Sequence, residues 1–222
     1  GHLIFGVALT KLLDWTWLKN LMSEEEKTSM LKSDRLLGIL ETIKSLPQNP
    51  VIFEVGAYKG GTSLFILEAC KYLQKKPELY VFDTFEGHVT KHENDPLHQA
   101  GSGQFKDTSF TSVKKLLSEF EGVQVIKGDA TKTVEGIFEE VPRGLDFLHL
   151  DTDVYPVTLS VLEVVLPKLK TGGVVIIDDY GTRTCPGVFK AVNEFLHHQD
   201  SASLFALSSI ANQKYIVKTG RN

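Results

Sequence analysis

Three aspartates stand where they could bind a metal ion. The segments LHLDTDVY (Leu148–Tyr155) and VVIIDDYG (Val174–Gly181) each begin with a short, largely apolar run that stops abruptly at carboxylates. Such runs read as buried parallel strands. The acids then fall at the C-terminal edge of the sheet, where open α/β folds bind their ligands. Asp151, Asp178 and Asp179 would share one crevice from two neighbouring strands. Like charges so close repel unless a cation lies between them, and an all-oxygen donor set suits Mg²⁺. The plain alternative is a set of solvated turn acids, which are common at strand ends.

A second constellation begins in VIFEVGAYKGGTS, which runs from a strand through a glycine-rich turn into a helix. The candidate cofactor cradle comprises Glu54, Gly56, Ala57, Tyr58, Gly60, Thr62 and Ser63. The spacing is neither the dinucleotide fingerprint nor a Walker A loop, and tight strand–helix packing would account for the glycines equally well. Two more acids strengthen the ligand reading. Asp83 closes the next strand, placed to accept from both hydroxyls of a ribose. Asp129, followed by Ala130, ends the third strand and could face an adenine ring. Glu54 could attract a cationic ligand group. A cofactor carrying ribose, purine and positive charge would use all three acids. S-adenosylmethionine fits that description better than NAD, whose pyrophosphate disfavours nearby carboxylates.

The elements that must position these residues follow from periodicity. Residues 1–47 read as an N-terminal helical segment, with a capping box at Ser23–Glu26 and an apolar stripe of Met30, Leu31, Leu36, Leu37, Leu40, Ile43 and Leu46 ending at Pro47. Residues 48–222 form the main domain. Strands are expected at Val51–Val55, Leu79–Phe82, Val123–Ile126, Phe147–Leu150 and Val174–Ile177, and helices near 62–75, 109–119, 155–168 and 187–198. This alternation predicts a mostly parallel sheet with helices on both faces. Leu204–Ser208 and Lys214–Val217 predict a terminal antiparallel hairpin. The polar stretch 86–107, holding His88, His92 and His98, is long enough to be a functional lid or a disordered loop.

Bulk properties narrow the class. The 222 residues suit a single domain with a sizeable core, and a net charge of −4 gives no reason to expect nucleic acid as a partner. Cys70 and Cys185 are too few for a disulfide framework or a zinc site, which favours a reducing, cytoplasmic setting. No apolar run is long enough to span a membrane, and Leu3–Leu13 lacks the flanks of a signal peptide. Trp15 and Trp17 are expected to pack an N-terminal helix or a subunit contact, and a homo-oligomer is expected.

The set FEVGAYKGGTS, VFDTFEG, KGDA, LHLDTDVY and IIDDYGTRTCPG, in this order and spacing, resembles the macrocin O-methyltransferase (TylF-like) family. The likeness covers roughly residues 48–198. It implies the Rossmann-like class I methyltransferase fold, an α/β architecture with a seven-stranded sheet, and a metal-dependent methyl transfer from S-adenosylmethionine to a hydroxyl. The acceptor implied is a small molecule, a sugar or other vicinal diol of a natural product. By this resemblance Asp151, Asp178 and Asp179 match the metal ligands. Glu54, Gly56, Ser63, Asp83, Phe85, Asp129 and Ala130 fall where the family holds its cofactor, and DTFEG opens a mobile substrate lid. The histidine-rich lid and the Asp-Thr-Asp of the metal segment depart from the family pattern without removing a ligand.

Asp151 is the expected catalytic residue, metal ligand and proton acceptor together. Asp153 is expected to cap the helix that starts near Tyr155, and the lid histidines to be solvated loop residues. Two other classes compete: a nicotinamide-dependent oxidoreductase, opposed by the glycine spacing and crowded acids, and a non-catalytic binding domain, which would not need all three aspartates.

Overall fold

The computed structural model describes residues 29–141, 143–198 and 205–220. The elements in chain order are α1 (Ser33–Ser45), β1 (Val51–Val55), α2 (Gly61–Tyr72), β2 (Glu78–Asp83), α3 (Phe110–Leu116), β3 (Val123–Lys127), α4 (Ala130–Glu140), β4 (Leu145–Leu150), α5 (Tyr155–Val165), a 3₁₀ turn (Leu166–Lys168), β5 (Leu169–Ile177), α6 (Pro186–His198), β6 (Phe205–Ile210) and β7 (Gln213–Lys218). The seven strands form one sheet in the order β3-β2-β1-β4-β5-β7-β6. The first five are parallel and the last two antiparallel. The predicted fold class, with its terminal hairpin, is therefore present.

Alternation along the strands divides the core between the two faces of the sheet. Val51, Phe53 and Val55 of β1 join Leu148, Leu150, Val175 and Ile177 beneath α4, α5 and α6. Ile52, Phe147, Val174 and Ile176 face the other way, onto α1 and α2. Central parallel strands covered on both faces must be apolar throughout, and β1 and β4 are buried at every position. Two of the exceptions share one face. Glu54 and His149 are fully buried polar residues paired across β1 and β4 on the α1/α2 face.

Two sequence expectations change in detail. A helix between β3 and β4, α4, was not expected. Asp129 caps it by accepting from the Thr131 amide at 3.0 Å, and Val134 and Phe138 bury its inner face. Gly136 in mid-helix weakens the signal. The apolar stripe of the first helix is narrower than its composition suggests, since Met30 is 72% exposed and Leu37 36% exposed. Its described part, α1, nevertheless packs into the same core as α2 and β1. The capping box at Ser23–Glu26, Trp15, Trp17 and Leu204 lie outside the described residues. Among the described residues, no helix is long and apolar enough to cross a membrane.

Candidate active site

The sheet order reverses between β1 and β4, and the crevice opens at that switch point, beyond the C-terminal strand ends. Backbone hydrogen bonds extend the ladder one residue past each strand. Gly56 N donates to Phe82 O at 2.9 Å, Asp151 N to Val55 O at 2.9 Å, and Asp178 N to Leu150 O at 2.8 Å. Asp151 and Asp178 are thereby held at matching positions on adjacent strands. Asp179 follows in the left-handed region, at φ 56°, which swings its carboxylate back toward the same point. Ligand oxygens of the three acids lie within 4.8 Å of one another.

A cleft of about 280 Å³ joins this cluster to the glycine turn. Gly56, Ala57, Tyr58, Thr62, Asp83, Asp129 and Ala130 line it from one end, and Asp151, Asp178 and Asp179 from the other. Glu54, Gly60, Ser63 and Phe85 do not line it. Glu54 lies behind the turn, where it accepts from the Ser63 hydroxyl and faces His149 at 3.6 Å. Gly56 is where the two ends meet. Its φ of 93° suits glycine alone, and a Cβ there would stand 1.7 Å from the Asp151 carbonyl oxygen.

At the glycine end the acids are already engaged. Asp83 accepts from the amides of Tyr58 at 2.8 Å and Phe85 at 2.6 Å, which fixes the turn over its strand. Burial raises its pKa and these backbone donors oppose the rise. A carboxylate has about four lone-pair sites, so capacity for a ligand's hydroxyls remains.

At the other end the charges are not balanced. Burial raises the pKa of Asp151 well above the carboxylate range, and the charges of Asp178, Asp153 and Asp179 push it further. Burial likewise raises Asp178, against the pull of His149 and Arg35. Asp178 Oδ1 is buried without a hydrogen-bond partner. The cation that does reach the cluster was not expected from the sequence. Arg35 of α1 places Nη1 2.6 Å from Asp178 Oδ2 and 3.1 Å from Asp179 Oδ1, while its Nε donates to Ala211 O at 3.2 Å. One guanidinium against three carboxylates leaves an excess of negative charge. The unpaired oxygen and the all-oxygen donor set fit a hard divalent cation, with Asp151, Asp178 and Asp179 as its holders.

The stretch after β2 covers this end. It contains no helix or strand, yet it is anchored. Asp95 accepts from the Tyr155 amide with both carboxylate oxygens, at 3.0 and 2.9 Å, and so caps α5. The sequence assigned that cap to Asp153; Asp153 instead takes φ 61° and accepts from the Cys185 thiol at 3.4 Å. Burial and the neighbouring Asp179 charge push its pKa up to about 7. The lid histidines are not solvated loop residues, contrary to expectation. His92 stacks on Tyr155 at 4.5 Å, His98 is buried beside Cys185, and His88 sits 3.8 Å from Asp153. Burial, aided by His98, lowers the His88 pKa to about 4. No local pattern marks such partners, because sequence distances of 60 to 87 residues separate them.

A family model described as macrocin-O-methyltransferase (TylF) matches residues 23–208. The mycinamicin III 3''-O-methyltransferase of Micromonospora griseorubida is 27% identical over 185 residues, covering 75% of this chain and 69% of that protein. A tetracenomycin-C 4'-O-methyltransferase of Streptomyces olivaceus, named for its dimethoxy-rhamnosyl substrate, is 25% identical over 180 residues, covering 78% and 67%. Among solved structures, the O-methyltransferase NovP superposes with a TM-score of 0.71 at 25% identity, covering 86% of this chain and 82% of its own. CalS11, a calicheamicin methyltransferase, shares the fold with a TM-score of 0.68 at 20% identity, covering 92% of each chain.

Proposed function

From the premise that the chain belongs to the macrocin O-methyltransferase (TylF) family and is an S-adenosylmethionine-dependent O-methyltransferase, we propose that it methylates a sugar hydroxyl of a glycosylated natural product with the help of Mg²⁺. The sugar preference follows the relatives, one of which is named for a rhamnosyl-bearing substrate. The observation that carries the metal requirement is the Asp151–Asp178–Asp179 cluster, with more buried negative charge than Arg35 balances, at the opposite end of one cleft from Asp83 and the Gly56 turn.

Each residue then has a physical role. Asp83 and the turn amides hold the ribose, and Asp129 with Ala130 lies where an adenine would rest. Methyl transfer from a sulfonium is an in-line displacement, so alignment of the acceptor oxygen with the methyl carbon supplies much of the acceleration. A divalent cation held by the three aspartates would orient vicinal hydroxyls and lower the pKa of one. Asp151 accepts the released proton, with general-base assistance of about 10²–10⁴-fold. Asp153 is a second candidate base, favoured by its position at the cleft wall beside Asp179.

The cleft volume bears on the lid. About 280 Å³ lies near the lower end of small-molecule sites, which span roughly 300–1,000 Å³. Cofactor and a glycosylated acceptor together need more room, so the stretch 86–107 opens to admit them and closes to exclude water.

The test is S-adenosylhomocysteine formation with S-adenosylmethionine, Mg²⁺ and a panel of glycosylated polyketides differing in sugar hydroxyl pattern. Turnover is expected only with acceptors that carry a free hydroxyl beside another oxygen, and EDTA should abolish it while leaving cofactor binding nearly intact. Turnover unaffected by EDTA would refute the metal role. Turnover only with non-sugar catechols or carboxylates would refute the acceptor class.

A further inference from the structure

Beneath the lid lies a group of ligating side chains of which the methyl-transfer scheme uses only Asp153, and that only as a second candidate base. His88 and His98 come from the lid and Asp153 from the loop after β4. One ligand atom from each lies within 4.8 Å of the others. His88 Nε2 is 3.8 Å from Asp153 Oδ2. The two imidazole rings meet edge to face with centroids 5.1 Å apart. Cys185 Sγ stands beside them, 3.5 Å from His98 Nε2 and 3.4 Å from Asp153 Oδ1.

Satisfied packing would leave these nitrogens hydrogen-bonded, since buried polar groups normally find partners. Here they do not. His88 Nε2 and His98 Nδ1 are both buried with no hydrogen-bond partner, and the His88 side chain is only 9% exposed. The His88–Asp153 separation exceeds a hydrogen bond. It is close to the edge of a tetrahedron around a cation with bonds of about 2.0–2.1 Å, which is roughly 3.3 Å. Two imidazoles and one carboxylate form a borderline-soft donor set, unlike the all-oxygen cluster of Asp151, Asp178 and Asp179.

We propose that His88, His98 and Asp153 form a second divalent-cation site, of the type that takes Zn²⁺ or Co²⁺, which pins the lid to the loop after β4. Asp153 stands between the two centres, since it also lies within 4.8 Å of Asp179 and Cys185 as a ligating group. A cation bound there closes the lid over the cleft. Excess Zn²⁺ is therefore an inhibitor that acts by lid closure, separately from any exchange with Mg²⁺. The site stands whether or not the aspartate cluster binds Mg²⁺.

Co²⁺ reports the geometry directly. Full-length, metal-stripped protein is titrated with Co²⁺ in saturating Mg²⁺, and the visible d–d absorption is followed in wild type, His88→Gln, His98→Gln and Asp178→Asn. Intense absorption typical of tetrahedral coordination is expected in wild type and in Asp178→Asn. Each histidine variant should weaken Co²⁺ binding by at least about tenfold, since even outer partners of metal ligands are worth about 10–100-fold. Circular dichroism of each variant checks that it is folded. In parallel, Zn²⁺ should slow hydrogen exchange across residues 86–107 in wild type but not in His98→Gln. No Co²⁺ band, or a band indifferent to both histidines, or one lost only in Asp178→Asn, would overturn the proposal.

Discussion

The two ends of the cleft are built on opposite principles. At the glycine end every acid is already engaged locally, since Asp83 holds the amides of Tyr58 and Phe85 and Asp129 caps α4. At the aspartate end Asp151, Asp178 and Asp179 crowd together, one carboxylate oxygen has no partner, and burial raises the pKa of Asp151 and Asp178. The first end is assembled before its ligand arrives. The second gathers three carboxylates around a single guanidinium, that of Arg35. On the proposed reading, pre-formed hydrogen bonds would give cofactor binding a small reorganisation cost, whereas the charge imbalance would make the chemistry conditional on a cation.

The contrast can be broken most severely at the aspartate end. Asp151→Asn should lower kcat by about 10²–10⁴-fold, and saturating Mg²⁺ should not restore it, because the amide cannot accept the proton at neutral pH. Asp178→Asn should lose rate through weaker metal binding and recover part of it at high Mg²⁺. Steady-state kinetics across a Mg²⁺ series separates the two. Full rescue of Asp151→Asn would move the base to Asp153. Gly56→Ala tests where the ends meet. A positive φ costs roughly 1–2 kcal/mol for an L residue, and overlap with the Asp151 carbonyl adds to it. A loss of at least about 4 °C in Tm is expected, with damage to both cofactor and metal binding. Unchanged metal binding would show that the ends are mechanically separate.

The glycine end should give a smaller response. Asp83→Ala should weaken S-adenosylmethionine by about 1–3 kcal/mol in calorimetry, without changing the Mg²⁺ dependence of the rate. Asp95→Ala should have the smallest effect, about 1 kcal/mol for a lost helix cap. Its signature is faster hydrogen exchange confined to the lid and the first turn of α5. Loss of cofactor affinity in Asp95→Ala would mean that the lid also supports the glycine end.

These contrasts also explain what could be read from the chain itself. Strands such as Val51–Val55 and Val174–Ile177 are short apolar runs, and the acids that end them are visible because burial of β-strands leaves so strong a pattern. The mostly parallel sheet and the terminal hairpin follow from alternation and turn lengths, whereas the order of the strands does not. Features that depend on tertiary approach were not legible. Arg35 sits 143 residues from Asp178 in an ordinary helical stripe, and nothing local distinguishes it from a solvated arginine. Asp95 looks like any loop acid until α5 presents its amide. Glu54 read as a ligand-facing acid because it ends a strand, but the two-residue period turns it away from the cleft, toward Ser63 and His149. α4 was hidden by the glycine within it.

Arg35 carries one further consequence, for how such chains can recombine. Its guanidinium neutralises acids that the chain reaches only after five strands have been laid down. A crossover between relatives in the short connection from α1 to β1 would divide the counter-ion from the charges it serves. The hybrid would keep every cleft-lining aspartate and still inherit an imbalance. Exchange at that seam is neutral only when the incoming helix brings a cation at the same height. Helix α1 and the end of β5 are thus inherited as one electrostatic unit, although most of the sheet is threaded between them.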